Sequence, residues 1–452
     1  MVRRVFILGL DSLPPYVLYE GHDGGGFKYL RSIVEDSARY LLESCHPPIT
    51  VPAWIVMFTG KTPGELGIYG FRHRRPGMFD YYIVNSNHVK HAAIWDEASK
   101  KGLWVGLYGV PPTYPPKPVH GFMVTDFTTP GPDKTYTFPP WLKRELESIS
   151  GSTIFDVTYR SEDKDGVAKD IIKMVNNHLT QVTYLIKRKK WDLFIYVEIG
   201  IDRVHHAFWK YFDKRHPRFN EHPRYSKVIP EVYGLIDEWF SGVHNDLLKD
   251  TVIIIVSDHG VKPMIGAFTI NQWLIDEGYL KLKVNVQELR SGTDLREDMI
   301  DWERTVAWGW GGYYSRVFIN LKGREKYGVV HGDDYEDIIR NLKRDIERIR
   351  GPKGDVWHNQ VYKPHDLYPE VKGDAPDLMV YLDNLNWRPA GTIGWHSKYL
   401  PENDRGPDDA MHDWLGVLSI YDPEGTISRG DLGIMKINNV RELIEDILFE
   451  RK

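Results

Sequence analysis

Three observations in the 452-residue sequence predict an α/β fold, with a largely parallel central sheet flanked by helices on both faces and an insertion lobe. The first is a set of short, nearly continuous apolar runs: RVFILGLD (Arg4 to Asp11), LWVGLYGV (Leu103 to Val110), WDLFIYVEIGID (Trp191 to Asp202), DTVIIIVSDHG (Asp250 to Gly260), APDLMVYL (Ala375 to Leu382) and WLGVLSIYD (Trp414 to Asp422). Runs of this length, rich in β-branched and aromatic residues and without alternation, suit strands covered on both faces. The second is the helical spacing of apolar residues in Asp165 to Lys189, Lys227 to Leu247 and Asp333 to Arg350, with charges on the other faces. Strands alternating with helices indicate α/β architecture. The third is a break in this rhythm from about Phe268 to Pro364, which divides the chain into core 1–267, lobe 268–364 and core 365–452.

Composition narrows the function classes. The net charge is −5 and the basic residues are scattered, so neither a nucleic-acid partner nor a membrane surface is implied. A single cysteine, Cys45, rules out an internal disulfide and fits a cytoplasmic protein. The N-terminal MVRRVFILGLD places two arginines before an apolar segment, but that segment is too short for a secretion signal and ends in an acid, so it reads as the first strand. No apolar run approaches the ~18 residues of a membrane span. Gly109 to Trp141 is Pro-rich and aromatic, the composition of a packed functional loop.

Three of the strands end in an acid: Asp11, Asp202 and Asp258. Ligands of open α/β sheets bind beyond the carboxyl ends of strands, so acids gathered there face one crevice. His206 follows Asp202 by four residues and shares its helix face if the strand runs straight into a helix; alone, the pair reads equally as a salt bridge or a cap. His205 falls on another face, where packing or support is expected. Asp258 and His259 stand side by side as the chain leaves a strand, and Gly260 allows the close turn that lets both reach one cation. His412 precedes the last apolar run, while Asp404, Asp408 and Asp409 just before it read as a solvated turn. Three carboxylates with three imidazoles suit two divalent cations, zinc or manganese, better than calcium. Two adjacent cations can hold the attacking and leaving oxygens of a displacement at phosphorus.

The nucleophile is sought in HPPITVPAWIVMFTG (His46 to Gly60). Thr50 precedes an apolar helix with proline in its first turn, where backbone N–H groups favour an anion. A threonine hydroxyl is hardly ionised near neutrality, but coordination to a divalent cation activates it. Capping the helix is the other role open to Thr50.

In this order the residues resemble the alkaline phosphatase superfamily, in its type I phosphodiesterase and nucleotide pyrophosphatase branch. The similarity rests on Asp11, on Thr50-x-Pro52 followed by TGKTPGELGI (Thr59 to Ile68), on Asp202-x-x-x-His206, on Ser257-Asp-His-Gly260 and on His412 before a strand. It extends over nearly the full chain and implies an alkaline-phosphatase-like core, with one metal site of Asp11, Asp258 and His259 and another of Asp202, His206 and His412. Thr50 would then be the nucleophile of a phosphoester hydrolase acting on a small phosphorylated substrate through a phosphothreonine.

Two departures stand out. Where many relatives place a phosphate-contacting asparagine, GIYGFRHRRP offers Phe71 and then Arg72, His73, Arg74 and Arg75, which read either as contacts for a second anionic group or as an exposed basic turn. Arg316, Lys322 and Arg324 of the lobe read either as substrate contacts or as surface charges, and Arg72, Arg74 and Arg324 are taken as the substrate-binding candidates. Cys45 lies near the position of a sulfatase cysteine, but the arginine of that motif is lacking and the spacing is wrong, so it reads as structural. A phosphomutase, a phosphonate hydrolase and a non-catalytic metal-binding relative are the other readings of the same residues.

Overall fold

The computed structural model describes residues 3–21 and 26–449, so Met1 and Val2 of the N-terminal segment lie outside it. Nine strands form the central sheet in the order Gly430–Lys436, Ala38–Glu43, Leu415–Tyr421, Val252–Val256, Val5–Leu10, Leu193–Glu198, Val105–Tyr108, Gly121–Val124 and Thr137–Phe138. Val5–Leu10 is central and runs parallel to both neighbours, Val252–Val256 and Leu193–Glu198. Every residue of these three strands is buried, as their unbroken apolar runs require.

Alternation along Val5–Leu10 divides two cores. Phe6, Leu8 and Leu10 pack under the helices Lys164–Arg188, Gly200–Phe212 and Val228–Val243. Val5 and Ile7 face the opposite layer, where Thr50–Thr59, Ile94–Lys100 and Val440–Phe449 lie. Both faces of these central strands are therefore covered, which leaves their carboxyl ends open to a ligand.

Register aligns the acids there. Gly9 pairs with Val256 and Leu10 with Glu198, so Asp11 and Asp258 leave the sheet at the same level. The helix Gly200–Phe212 starts two residues after its strand ends and carries Asp202 in its first turn.

Two apolar runs differ from the parallel-sheet expectation. Leu415–Tyr421 joins the central sheet but runs antiparallel to both neighbours. Leu378–Tyr381 instead pairs antiparallel with Ser315–Ile319 and Gln360–Tyr362, in a separate four-stranded sheet. That sheet packs with the helix Gly332–Glu347 around its own core, so the second packing unit takes in residues beyond 364. A strand buried in a small antiparallel sheet with a helix on it has the same apolar run as one in a parallel sheet, which is why the sequence did not separate them. The Pro-rich loop supplies Gly121–Val124 and Thr137–Phe138 to one edge of the central sheet. No helix among the described residues is long and apolar enough to cross a membrane.

Candidate active site

Thr50 is the first residue of its helix, and the N-cap position is taken by Ile49, whose side chain cannot cap. The hydroxyl is free for other partners: Oγ1 lies 3.5 Å from Asp11 Oδ1 and 3.4 Å from His259 Nε2. One turn on, Trp54 Nε1 donates to Asp11 Oδ2 at 2.7 Å, which turns the other oxygen of Asp11 toward Thr50. The helix thus presents Thr50 and fixes Asp11 with the same face.

Around them the structure brings together all six residues expected as ligands. Donor atoms of Asp11, Asp258 and His259 lie within 4.8 Å of one another, and so do those of Asp202, His259 and His412. His206 Nε2 is 3.2 Å from Asp202 Oδ1 and 3.3 Å from His412 Nε2. His259 borders both groups, its ring stacked at 3.8 Å on that of His412.

The donors fit divalent cations. Asp202 Oδ1 and Asp258 Oδ2 are buried and accept no hydrogen bond. Each imidazole has its other nitrogen engaged: His206 Nδ1 with Asp408 at 2.7 Å, His259 Nδ1 with the Gly260 carbonyl at 2.9 Å, and His412 Nδ1 with the Pro48 carbonyl at 2.7 Å. At His259 and His412 a proton on Nδ1 leaves an Nε2 lone pair facing the cluster, the arrangement of metal-ligating histidines. His206, which burial lowers but Asp408 and Asp202 together raise above the ordinary range, reaches the same state by giving up its Nε2 proton. Unpaired carboxylate oxygens in a dry interior are otherwise costly.

The electrostatics agree. Burial, followed by repulsion from Asp202, raises the Asp11 carboxyl well above the ordinary range; burial and then Asp11 do the same to Asp258. At Asp202, burial also opposes ionisation, but His206 and Arg203 outweigh it and hold the carboxyl below its usual range. Arg203 Nη1 donates to Asp202 Oδ2 at 2.5 Å, leaving Oδ1 to the cluster, and Asp156 grips the same guanidinium. Burial lowers His259 to about 4, so its ring is neutral at physiological pH.

Several participants escaped the sequence reading. Asp408 is fully buried and supports His206, so it is not part of a solvated turn. Ser12 holds a left-handed φ of 62°; its N–H donates to Asp258 Oδ1 at 3.2 Å, and its hydroxyl meets His205 Nδ1 at 2.7 Å. Such backbone in a non-glycine residue is strained and persists only where its surroundings fix it. The second packing unit contributes Tyr313, whose ring stacks at 4.1 Å on His412 and 5.1 Å on His206. Arg160 Nη2 donates to the Tyr313 hydroxyl at 2.7 Å. No periodicity marks such residues; a buried acid three positions before a strand-leading histidine was the one signal available, at Asp409, with Asp408 beside it.

The substrate candidates divide. Arg74 is fully buried, bonded to Glu325 at 2.6 Å and Asp374 at 2.7 Å, and Arg324 is bonded to Asp377 at 2.6 Å and Glu325 at 2.8 Å. The Arg74 guanidinium thus ties the core to the lobe, whereas Arg324 is held within the second packing unit by Asp377, Glu325 and the Ile319 carbonyl, so both cations expected at the substrate are already paired with carboxylates. Arg72 is exposed, its guanidinium 4.9 Å from the Tyr81 ring centroid.

The sequence model of the type I phosphodiesterase/nucleotide pyrophosphatase family matches residues 5–408. The chain belongs to that family. Its members are phosphoester hydrolases of the phosphodiesterase and pyrophosphatase type. Among solved structures, the fold is similar to murine ectonucleotide pyrophosphatase/phosphodiesterase 5, with a TM-score of 0.56, 13% identity and coverage of 99% of this chain and 95% of that one. The human counterpart has a TM-score of 0.55, 13% identity and the same coverage. An inactive threonine-to-alanine variant of the murine protein, in complex with AMP, has a TM-score of 0.56 at 12% identity, again covering 99% and 95%. No curated protein matches the sequence.

Proposed function

We propose that this member of the family hydrolyses a small phosphorylated substrate with Thr50 as nucleophile. The observation that carries the reading is the freedom of the Thr50 hydroxyl at a helix N-terminus, within 3.5 Å of Asp11 and His259. Two divalent cations, zinc or alternatively manganese, held by Asp11, Asp258 and His259 and by Asp202, His206 and His412, would lower the hydroxyl pKa and offset charge on the phosphoryl oxygens.

The remaining chemistry belongs to the chain. Thr50 Oγ1 forms a bond to phosphorus as the bond to the leaving oxygen breaks in line, giving a phosphothreonine and the released alcohol or phosphate. Water then adds to phosphorus and the bond to Thr50 breaks, restoring the hydroxyl. In the first turn of Thr50–Thr59, Pro52 has no N–H and that of Ala53 bonds the Ile49 carbonyl, so the N–H groups of Thr50 and Val51 are the ones that would meet developing negative charge. Burial of Asp11, Asp202 and Asp258 keeps competing water from their oxygens. The inactivity of the murine threonine-to-alanine variant supports a threonine nucleophile in the family. A single, half-buried Cys45 supports a cytoplasmic setting.

The test uses bis-p-nitrophenyl phosphate and p-nitrophenyl phosphate with added zinc or manganese. Metal-dependent release of p-nitrophenol is expected, and Thr50→Ala should lower kcat by about 10³-fold or more while metal stays bound. Full turnover by Thr50→Ala would sink the covalent route.

A further inference from the structure

Most arginines near the site are bound to carboxylates: Arg74 to Glu325 and Asp374, Arg160 to Asp408, Arg203 to Asp156 and Asp202, and Arg388 to Asp404. Arg72 and Arg316 differ. Among the described residues neither forms an ion pair; their partners are aromatic rings and one backbone carbonyl. The acids near them are taken, Asp294 by Arg405 and Asp374 by Arg74.

Aromatic faces hold these two side chains instead. The Arg316 guanidinium lies 5.0 Å from the Trp310 ring centroid, Arg72 lies 4.9 Å from that of Tyr81, and Tyr81 meets Trp310 edge to face at 6.1 Å. Cation–π contact fixes a guanidinium without using its N–H donors. Arg316 gives one N–H to the Arg72 carbonyl, which brings the two cations together. Burial, with Arg72 adding to it, holds Arg316 below the usual arginine range. Two adjacent cations kept in place and left without counter-charge form a seat for an anion.

The seat borders the reaction centre. Tyr313, three residues before Arg316, stacks on His412, and Tyr314 donates its hydroxyl to the Tyr69 carbonyl at 2.5 Å. This stretch therefore runs from the imidazoles across the Tyr69 to Arg72 segment. On that segment the Phe71 ring lies 6.1 Å from Phe127, which the Arg203 guanidinium approaches to 5.1 Å while bonded to Asp202. Three residues separate Tyr313 from Arg316, so their backbones are no more than about 10 Å apart.

We propose that Arg316 and Arg72 bind a second anionic group, phosphate or carboxylate, several bonds from the reacting phosphorus. The substrate class is a phosphoester with a distal anion. This rests on the hydrolase reading for the identity of the reacting group, but the seat is tested by binding alone.

Calorimetry on the zinc-loaded protein would compare phosphonopropionate and phosphonopentanoate, each ending in a carboxylate, with propylphosphonate and pentylphosphonate. The carboxylated member of at least one pair should bind about tenfold more tightly. Arg316→Gln should remove that preference and Arg316→Lys should keep part of it. Arg72→Gln, at an exposed position that does not endanger folding, should reduce it. Absence of preference at both lengths, including absence of binding, overturns the proposal, as does its persistence in Arg316→Gln. A wild-type preference without hydrolysis of any phosphoester upholds the seat and sinks the hydrolase; hydrolysis without preference does the reverse.

Discussion

Three imidazoles meet in the site, and what each outward nitrogen touches decides what its inward nitrogen can do. His206 relies on a side chain, Asp408, whereas His259 and His412 use backbone carbonyls. That makes His206 the ligand whose support can be removed by mutation. Asp408→Asn should weaken zinc binding by about 10- to 100-fold, read by competition with a chelator, because the supporting group of a ligating histidine fixes its tautomer and basicity. Unchanged affinity would show that Arg160 and Tyr313 alone hold the ring. The convergence of the six acids and histidines was legible, since a strand-terminal acid and an i,i+4 or adjacent histidine leave a pattern in one dimension. Asp408, Arg160 and Tyr313 were not, because their partners are 202, 248 and 107 residues away in the chain.

Between residue and molecule, the working element is the pair formed by strand Val5–Leu10 and helix Thr50–Thr59. The helix lies directly on the strand: a Cβ at Gly9 would sit 2.6 Å from Trp54 Cη2 and 2.9 Å from Val197 Cγ2. Neither neighbour has space to retreat, since Trp54 and Val197 are both buried. Gly9→Ala should therefore push Trp54 off Asp11 and tilt Thr50, costing about 1–3 kcal/mol in urea unfolding. Turnover of p-nitrophenyl phosphate should fall with it; a loss of stability at unchanged kcat would show that the helix shifts without carrying Thr50. Burial on both faces of the strands could be read from their apolar runs. Direction could not, because an antiparallel strand such as Leu415–Tyr421, covered on both faces, looks the same in sequence.

At the scale of the molecule, metal is expected to couple to stability and to pH. A ligand that binds only the folded chain stabilises it by about 4 kcal/mol at a thousandfold excess over Kd, so zinc should raise Tm and EDTA should reverse the gain. Burial raises both Asp11 and Asp258, with Asp202 adding to the first and Asp11 to the second, so the metal-free protein holds protons there to higher pH than a free carboxylate does. A cation must displace them, and affinity should increase as pH rises through that raised range, then level off once both are ionised. His259, neutral above about 4, releases no proton at pH 7. Zinc titrations in two buffers of different ionisation enthalpy, repeated over a range of pH, would measure the protons released; an affinity and proton release that do not change with pH would contradict the assignment. The α/β class was plain from strand and helix alternation, whereas the extent of the second packing unit depended on pairings across the chain that no local pattern records. The strand Ala410–Asp413, which carries His412, pairs with Gly260–Pro263, and the second packing unit is folded between these two partners. The first proposed metal site, Asp11 with Asp258 and His259, is therefore built by the core alone, whereas the second closes only when the intervening unit has folded and returned the chain to the sheet. Occupancy of the two sites should accordingly be gained in order, the second reporting on the integrity of a unit that holds none of its ligands.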